Sequence, residues 1–310
     1  VGEPIVAVVA ETYAQATDAA QMVFIDIDPL PAVIDMKEAL TSSTHIYDGA
    51  GSNAVFDSAA LGGQPTTGDA FFEGCEVVVS TEALNPRVAP CPLEPRAAAA
   101  TWHEGRLYEW LSTQHAQGAV GPIAGANGIE ASQVRVITPD VGGGFGAKIG
   151  CLSEELLLGL LSKESGRPIK FAETRSESMM NLGHGRAQHQ VIKVGGSRDG
   201  KITHFQLEMI QDSGAFCEVG TILGALFTRR MAAGVYAFDN VEAHCASVVT
   251  NTTPVVAYRG AGRPEATAAT ERAMDLFAAE IGTDPAEVRR KTLIAPFNEP
   301  HTTAIGEAYD

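Results

Sequence analysis

VRVITPDVGGGFGAK, residues 134–148, is the stretch on which the reading of this chain turns. A β-branched run, VRVIT, is suited to a strand. Four glycines then surround one aromatic residue: Gly142, Gly143, Gly144 and Gly146 about Phe145. Without a Cβ, such a backbone can approach a ligand closely and aim several N–H groups at it. The Leu-rich segment 152–163 follows and reads as a helix, whose start adds a field that favours an anion. A pyrophosphate or a polar heterocycle suits this loop, and so does the plain role of a tight turn between strand and helix. The spacing is not GxGxxG, and Lys148 is followed by Ile149 rather than Ser or Thr, so neither a Rossmann nor a Walker loop is indicated.

Two further corners have the same strand-to-helix character. AYRGAGRPE, residues 257–265, sets Arg259 and Arg263 beside Gly260 and Gly262. Arg259 is either a buried cation aimed at an oxyanion or oxo group, or one of two arginines that neutralise nearby carboxylates. LSTQH, residues 111–115, offers Gln114 as donor and acceptor, with Ser112 or Thr113 as a plain helix N-cap. LEPR, residues 93–96, reads by itself only as a turn.

Outward from these corners, residues 4–10 predict a short buried strand, 11–22 an Ala-rich helix and 22–33 a strand stopped by Pro29 and Pro31. Residues 41–70, rich in Ser, Thr, Gly and Asp, predict a long surface connection. Strands are expected at 71–80, 97–102, 106–111, 134–138, 168–174, 189–195, 202–214 and 241–250, with SRDG (197–200) as a hairpin turn. Helices are expected at 115–128 and 152–163, the latter burying a stripe of Leu156, Leu157, Leu160 and Leu161. Two more helices close the pattern, one opened by Pro264 and ending at Gly282, the other capped by Asp284. The last fifteen residues read as loop.

With 310 residues, of which 45% are apolar, the chain can bury two cores or one large one and is not a disordered segment. The formal charge of −16, with no basic cluster, speaks against a nucleic-acid partner. No apolar run is long enough for a membrane span. Five widely spaced cysteines without a CxxC pair suggest neither a zinc site, an iron–sulfur cluster nor a disulfide framework; reduced, mostly buried thiols in a cytoplasmic protein are expected. His115 and His184 are read as ordinary polar residues.

VGEPIVAVVAET, LEPR, STQ, PDVGGGFGAK and AYRGAGRPE, in this order along nearly the whole chain, resemble the large molybdenum-binding subunit of the xanthine dehydrogenase, aldehyde oxidase and carbon monoxide dehydrogenase family. The resemblance implies an α+β fold: the end of an α/β hammerhead-like domain (1–40), a connecting segment (41–70) and the first molybdopterin-binding domain of mixed sheets and helices (71–310). It implies molybdenum held by molybdopterin, in the cytosine dinucleotide form usual in bacteria. The implied reaction is hydroxylation of an aldehyde or heteroaromatic carbon with oxygen from water. In that family Gln114 lies near the metal's oxo group, Phe145 packs by the metal, and Arg259 faces metal and substrate. Gly143, Gly144 and Gly146 bind cofactor through backbone N–H groups, and Gly260 belongs to the cofactor-binding loop.

Iron–sulfur clusters and FAD are implied on separate small and medium subunits, making a hetero-oligomer. The family's base glutamate lies in a C-terminal half that these residues do not match, so the chain is expected to be an internal fragment or one piece of a split subunit, inactive alone. Gly260 replaces the cysteine of the AYRCSFR loop of carbon monoxide dehydrogenases, which disfavours copper chemistry. Ile149 and Ala261 stand where purine enzymes carry a glutamate and a stacking phenylalanine, which disfavours a purine. From a different functional class stands a truncated, non-catalytic relative that docks partner subunits as a scaffold. A phosphate-binding nucleotide enzyme is the third and weakest reading.

Overall fold

A computed structural model describes residues 2–61 and 68–309. The first elements are α1 (Tyr13–Gln21), α2 (Met36–Ala39), β1 (Ala54–Asp57), β2 (Val77–Asn85), β3 (Ala97–His103) and β4 (Arg106–Leu111). The middle of the chain gives α3 (Ala116–Asn127), β5 (Val134–Ile137), α4 (Ser153–Ser165), β6 (Ile169–Ala172), α5 (Arg175–Asn181), β7 (Gln188–Gly196) and β8 (Ile202–Asp212). The chain continues with α6 (Val219–Arg230), β9 (Asn240–Val248), α7 (Arg263–Ile281), α8 (Pro285–Thr292), β10 (His301–Thr302) and β11 (Ala308–Tyr309).

Two compact units result, each drawn from two segments: Val1–Pro31 with Ala89–His184, and Ala32–Val88 with Gly185–Asp310. These packing units are distinct from the family-based division at residues 40 and 70.

The first unit is a four-stranded sheet in the order β5-β4-β3-β6. β3 pairs antiparallel with β4 and β6, while β4 and β5 run parallel. A parallel pair needs a crossover, and α3 supplies it between β4 and β5. Leu107, Leu111, Ile123, Val134 and Leu158 form the core. The anticipated leucine stripe of α4 is corrected. Leu158 is buried together with Glu155, Gly159 and Ser162, whereas Leu157 and Leu160 are exposed. Gly159 explains the rotation: a Cβ there would run into Leu107 and Asn127, so this glycine face packs closest, and its carbonyl accepts from Trp102 Nε1 at 2.8 Å.

The second unit is a five-stranded mixed sheet, β1-β9-β8-β7-β2. β7 and β8 form the anticipated hairpin through SRDG, closed by Ser197 N–H to Lys201 O at 3.0 Å with Gly200 at φ 101°. β8 and β9 run parallel, with α6 in the crossover. Ile192, Val194, Phe205 and Leu207 of the sheet share one core with Ala269, Ala273, Met274 and Phe277 of α7. Pro264 opens α7, Gly282 caps its C-terminus, and Asp284 caps α8 through Ala286 N–H, all as the sequence indicated.

Other expectations fail for identifiable reasons. Residues 4–10 and 22–33 carry no strand, and Ile5, Val6, Phe24 and Ile27 are exposed. Apolar alternation marks a tendency to bury, but a strand exists only where a neighbour completes its ladder. Within 41–70, β1 pairs antiparallel with β9, so the segment is more than a connection; its residues 62–67 lie outside the described ones. The tail makes the two-residue ladder β10–β11. All five cysteines are free, but only Cys245 is buried, while Cys91 and Cys217 are exposed. Among the described residues no helix is long and apolar enough to cross a membrane.

Candidate functional site

The glycine loop leaves β5 and is gripped at both ends by one carboxylate. Glu94 Oε2 accepts from Gly142 N–H at 2.9 Å and from Lys148 Nζ at 2.8 Å, and the Glu94 carbonyl accepts from the same ammonium at 2.8 Å. Lys148 is buried. Burial works against the charge on Glu94, but the Lys148 ammonium and the Gly142 N–H outweigh it and hold the carboxyl below its ordinary range. LEPR is therefore more than a turn: it anchors the loop.

Between these anchors the backbone bends through left-handed conformations, with Gly143 at φ 101°, Phe145 at φ 53° and Gly146 at φ 103°. An aromatic residue in that region is strained, and such strain clusters at ligand sites. Phe145 is itself partly exposed. Gln114 meets the loop directly. Its Oε1 accepts from Gly146 N–H at 2.9 Å, and its backbone N–H donates to Lys148 O at 3.0 Å. Because a backbone N–H can only donate, the amide oxygen must face Gly146, which leaves the Nε2 donors of this exposed side chain to offer a ligand.

Gly146 was expected to present its own N–H to a cofactor, yet that group is engaged by Gln114. Gly143 and Gly144 differ: neither backbone N–H donates to a protein acceptor among the described residues, although Gly144 is buried. Buried backbone donors are nearly always satisfied, so this pair fits a polar or anionic ligand. The start of α4 does not add the anticipated anion field. Its first turn carries Glu154 and Glu155, and Glu155 Oε2 already takes the Leu152 N–H at 2.9 Å.

A side chain on Gly144 would reach Gln114 Oε1, the movable end of a flexible group. Gly144→Ala is therefore expected to leave the fold intact while displacing the Gln114 amide from Gly146. The freed Gly146 amide should exchange its hydrogen roughly tenfold faster, as for the loss of one hydrogen bond. Unchanged exchange would mean that the amide is held by something other than Gln114.

Arg259 and Gly260 belong to the second unit. Arg259 is exposed, which corrects the buried-cation reading. Its loop is unusually curved, with Gly260 at φ 98°, Ala261 at φ 39° and Gly262 at φ 92°. Thr228 Oγ1 donates to Gly262 O at 3.1 Å, and a side chain on Gly262 would strike Gly224 O and Thr228 N. Arg263 lies over the Phe227 ring at 4.0 Å and donates to Gly260 O at 3.1 Å, so it stacks on an aromatic face.

Gln114, the glycine loop, Glu94 and Lys148 are thus assembled in one unit, and the Arg259 loop is a separate assembly in the other. The Glu94–Lys148 pair escaped the sequence reading although both motifs carrying it were quoted. A roomy cavity of the first unit, about 630 Å³, lies between residues 2–16 and a wall that includes Leu157, Leu161, Phe171 and Met180, and contains no glycine-loop residue. Its lining lacks the donor set that marks the loop. Among the described residues no group of three His, Cys, Asp or Glu could hold a metal directly.

The molybdopterin cofactor-binding domain family matches residues 46–293. Over its whole length the chain is 33% identical to the nicotine 6-hydroxylase large subunit of Paenarthrobacter nicotinovorans, covering 38% of that protein. It is 34% identical to the carbon monoxide dehydrogenase large chain of Hydrogenophaga pseudoflava, with 98% of this chain and 40% of that one aligned. Among solved structures, quinoline 2-oxidoreductase from Pseudomonas putida 86 superposes with a TM-score of 0.89 at 29% identity, over 97% of this chain and 38% of that one. The chain thus spans well under half the length of these relatives.

Proposed function

Since the chain belongs to the molybdopterin cofactor-binding domain family, we propose that it supplies the pterin- and metal-facing corners of a molybdenum hydroxylase large subunit. The observation that carries this reading is the glycine loop: two backbone donors at Gly143 and Gly144 without protein acceptors among the described residues, beside a Gln114 amide held in place by Gly146. These groups suit the oxygen-rich, anionic body of a molybdopterin, in the cytosine dinucleotide form. When bound, the group supplies two-electron oxidation of a carbon centre with oxygen from water.

The chain's own residues bind and orient. Gly143 and Gly144 would donate to the cofactor, Gly146 fixes Gln114, and the Gln114 Nε2 group would be offered to the metal-bearing end of the cofactor. Phe145 would cover that side against water; in the second unit, taken by itself, Arg259 with Gly260 would present a cation and a close backbone to a ligand. Gln114 and Arg259 are the catalytic residues of this reading. A heteroaromatic or aldehyde carbon is the substrate class, in keeping with relatives named for nicotine and quinoline. Copper held by a cysteine is disfavoured: position 260 is glycine at φ 98°, and a side chain there would meet the Pro264 ring at 2.5 Å. Electrons would leave through iron–sulfur and FAD groups on small and medium partner subunits in the cytoplasm. This reading assigns the role of base to no acid of this chain.

The complete subunit, expressed in a molybdenum-replete host, should contain about one molybdenum per chain and release CMP on mild acid hydrolysis. Absence of both from the assembled complex would leave the non-catalytic scaffold as the better description.

A further inference from the structure

The Arg259 loop is gripped by a residue that none of the sequence motifs points to. Arg186 sits in a short stretch with two consecutive non-glycine residues in left-handed conformation, itself at φ 65° and Ala187 at φ 61°. Its Nη2 donates to Arg259 O at 2.9 Å, and its Nη1 reaches Tyr258 O at 3.4 Å and Glu265 Oε1 at 3.2 Å. The guanidinium also lies 4.7 Å from the centre of the Tyr258 ring. Gly185, just before it, has no room for a side chain because Tyr258 Cβ stands in the way. One planar cation therefore holds both ends of the turn: the carbonyls of residues 258 and 259 and, through Glu265, the first turn of α7.

Such a grip is demanding on both partners. The Glu265 side chain is 2% exposed, and among the described residues its Oε2 has no hydrogen-bond partner, so Arg186 is the cation balancing a buried carboxylate. The strained backbone at 186 and 187 persists only where the surroundings fix it. A forked guanidinium can satisfy a carboxylate and two carbonyls together, which an ammonium on a flexible stem does poorly.

We propose that Arg186 is a positioning residue, clamping the turn at 258–259 to Glu265 so that Arg259 is held in one working placement. Its consequence for turnover rests on the molybdenum hydroxylase reading, whereas the clamp does not.

Arg259 is exposed and is followed by Gly260 rather than proline, so tryptic cleavage after it gives a readout independent of activity. In the full chain, Arg186→Met is expected to speed cleavage after Arg259 by about tenfold, with other exposed sites within about twofold. The double variant Arg186→Met/Glu265→Gln removes both charges, so no bare carboxylate remains to unfold the unit, and should show the same site-selective cleavage. In the molybdenum-loaded complex, Arg186→Met should lower kcat by about tenfold with KM within about threefold, and Arg186→Lys should recover only part of it. Cleavage after Arg259 that is unchanged in both variants, or that rises equally at every site, overturns the clamp. Selective cleavage with unaltered kcat upholds the clamp and overturns the catalytic placement of Arg259.

Discussion

Replacing Arg96 by methionine is expected to destabilise the first unit by about 3–5 kcal/mol, the cost of stripping the partner from a buried carboxylate. The Arg96 side chain is 2% exposed and that of Glu173 is 0% exposed, with Nη2 to Oε1 at 2.6 Å and Nε to Oε1 at 3.1 Å. The fork also reaches Glu154 at 3.1 and 3.3 Å. Burial disfavours the Arg96 charge, but the hydrogen bonds and fields of Glu154 and Glu173 more than compensate, so the cation is held more firmly than in water. Methionine fills similar space and leaves those carboxylates facing one another.

The damage should propagate to the loop. Arg96 O accepts from Glu173 N–H at 2.9 Å, and two residues earlier Glu94 grips Gly142 and Lys148. Both tryptophans of the chain, Trp102 and Trp110, lie in the first unit, so their fluorescence in a urea titration reads its stability. Arg167→Ala, which breaks an exposed pair with Glu11, is the control and should cost less than about 1 kcal/mol. Equal losses from the two variants would show that Arg96 contributes nothing beyond a surface contact.

Loops were more legible in the sequence than packing faces. Glycine clusters and arginine–glycine turns are chemically unusual, so residues 139–148 and 257–265 announced themselves, and the structure finds left-handed turns at both. What failed was anything that depends on a partner distant along the chain. The Lys148–Glu94 bond spans 54 residues and that of Arg186 to Glu265 spans 79, and no local pattern encodes either. The apolar runs at 4–10 and 22–33 carry strand chemistry but no ladder, and α4 turned its glycine face inward rather than its leucines. Helix α6 was overlooked although Arg229 and Arg230 mark its last turn. One buried acid was readable: in RLYEWL the inward positions are 107, 109 and 111, and the middle one is glutamate.

That acid, Glu109, should make the first unit lose stability as pH rises. It is 0% exposed, and among the described residues neither carboxylate oxygen has a well-formed hydrogen bond, although the Gly159 backbone N–H works against the shift. Burial first, and then the neighbouring Glu155 carboxyl, push it from an ordinary 4.5 up to about 8. The folded state therefore keeps a proton that the unfolded chain has released across that window. Stability is full below pH 4.5, declines through the window and is lost above about 8, where the folded protein must ionise a carboxyl in an apolar interior. A shift of this size corresponds to roughly 3–5 kcal/mol between the two ends. Glu155 is also pushed up by burial, which Arg96 partly opposes, so it adds a slope of the same sign. Cys151, its thiol raised to about 12 by burial and these two acids, stays neutral throughout. Glu109→Gln keeps the shape and removes the titration. At pH 9 the variant should exceed the parent by roughly 2–4 kcal/mol, while at pH 5 the two should agree within about 1 kcal/mol. Urea midpoints by tryptophan fluorescence from pH 5 to 9 test this. Parallel curves for parent and variant would mean that Glu109 is ionised in the fold at neutral pH, with a counter-charge or water reaching it between β4 and α4.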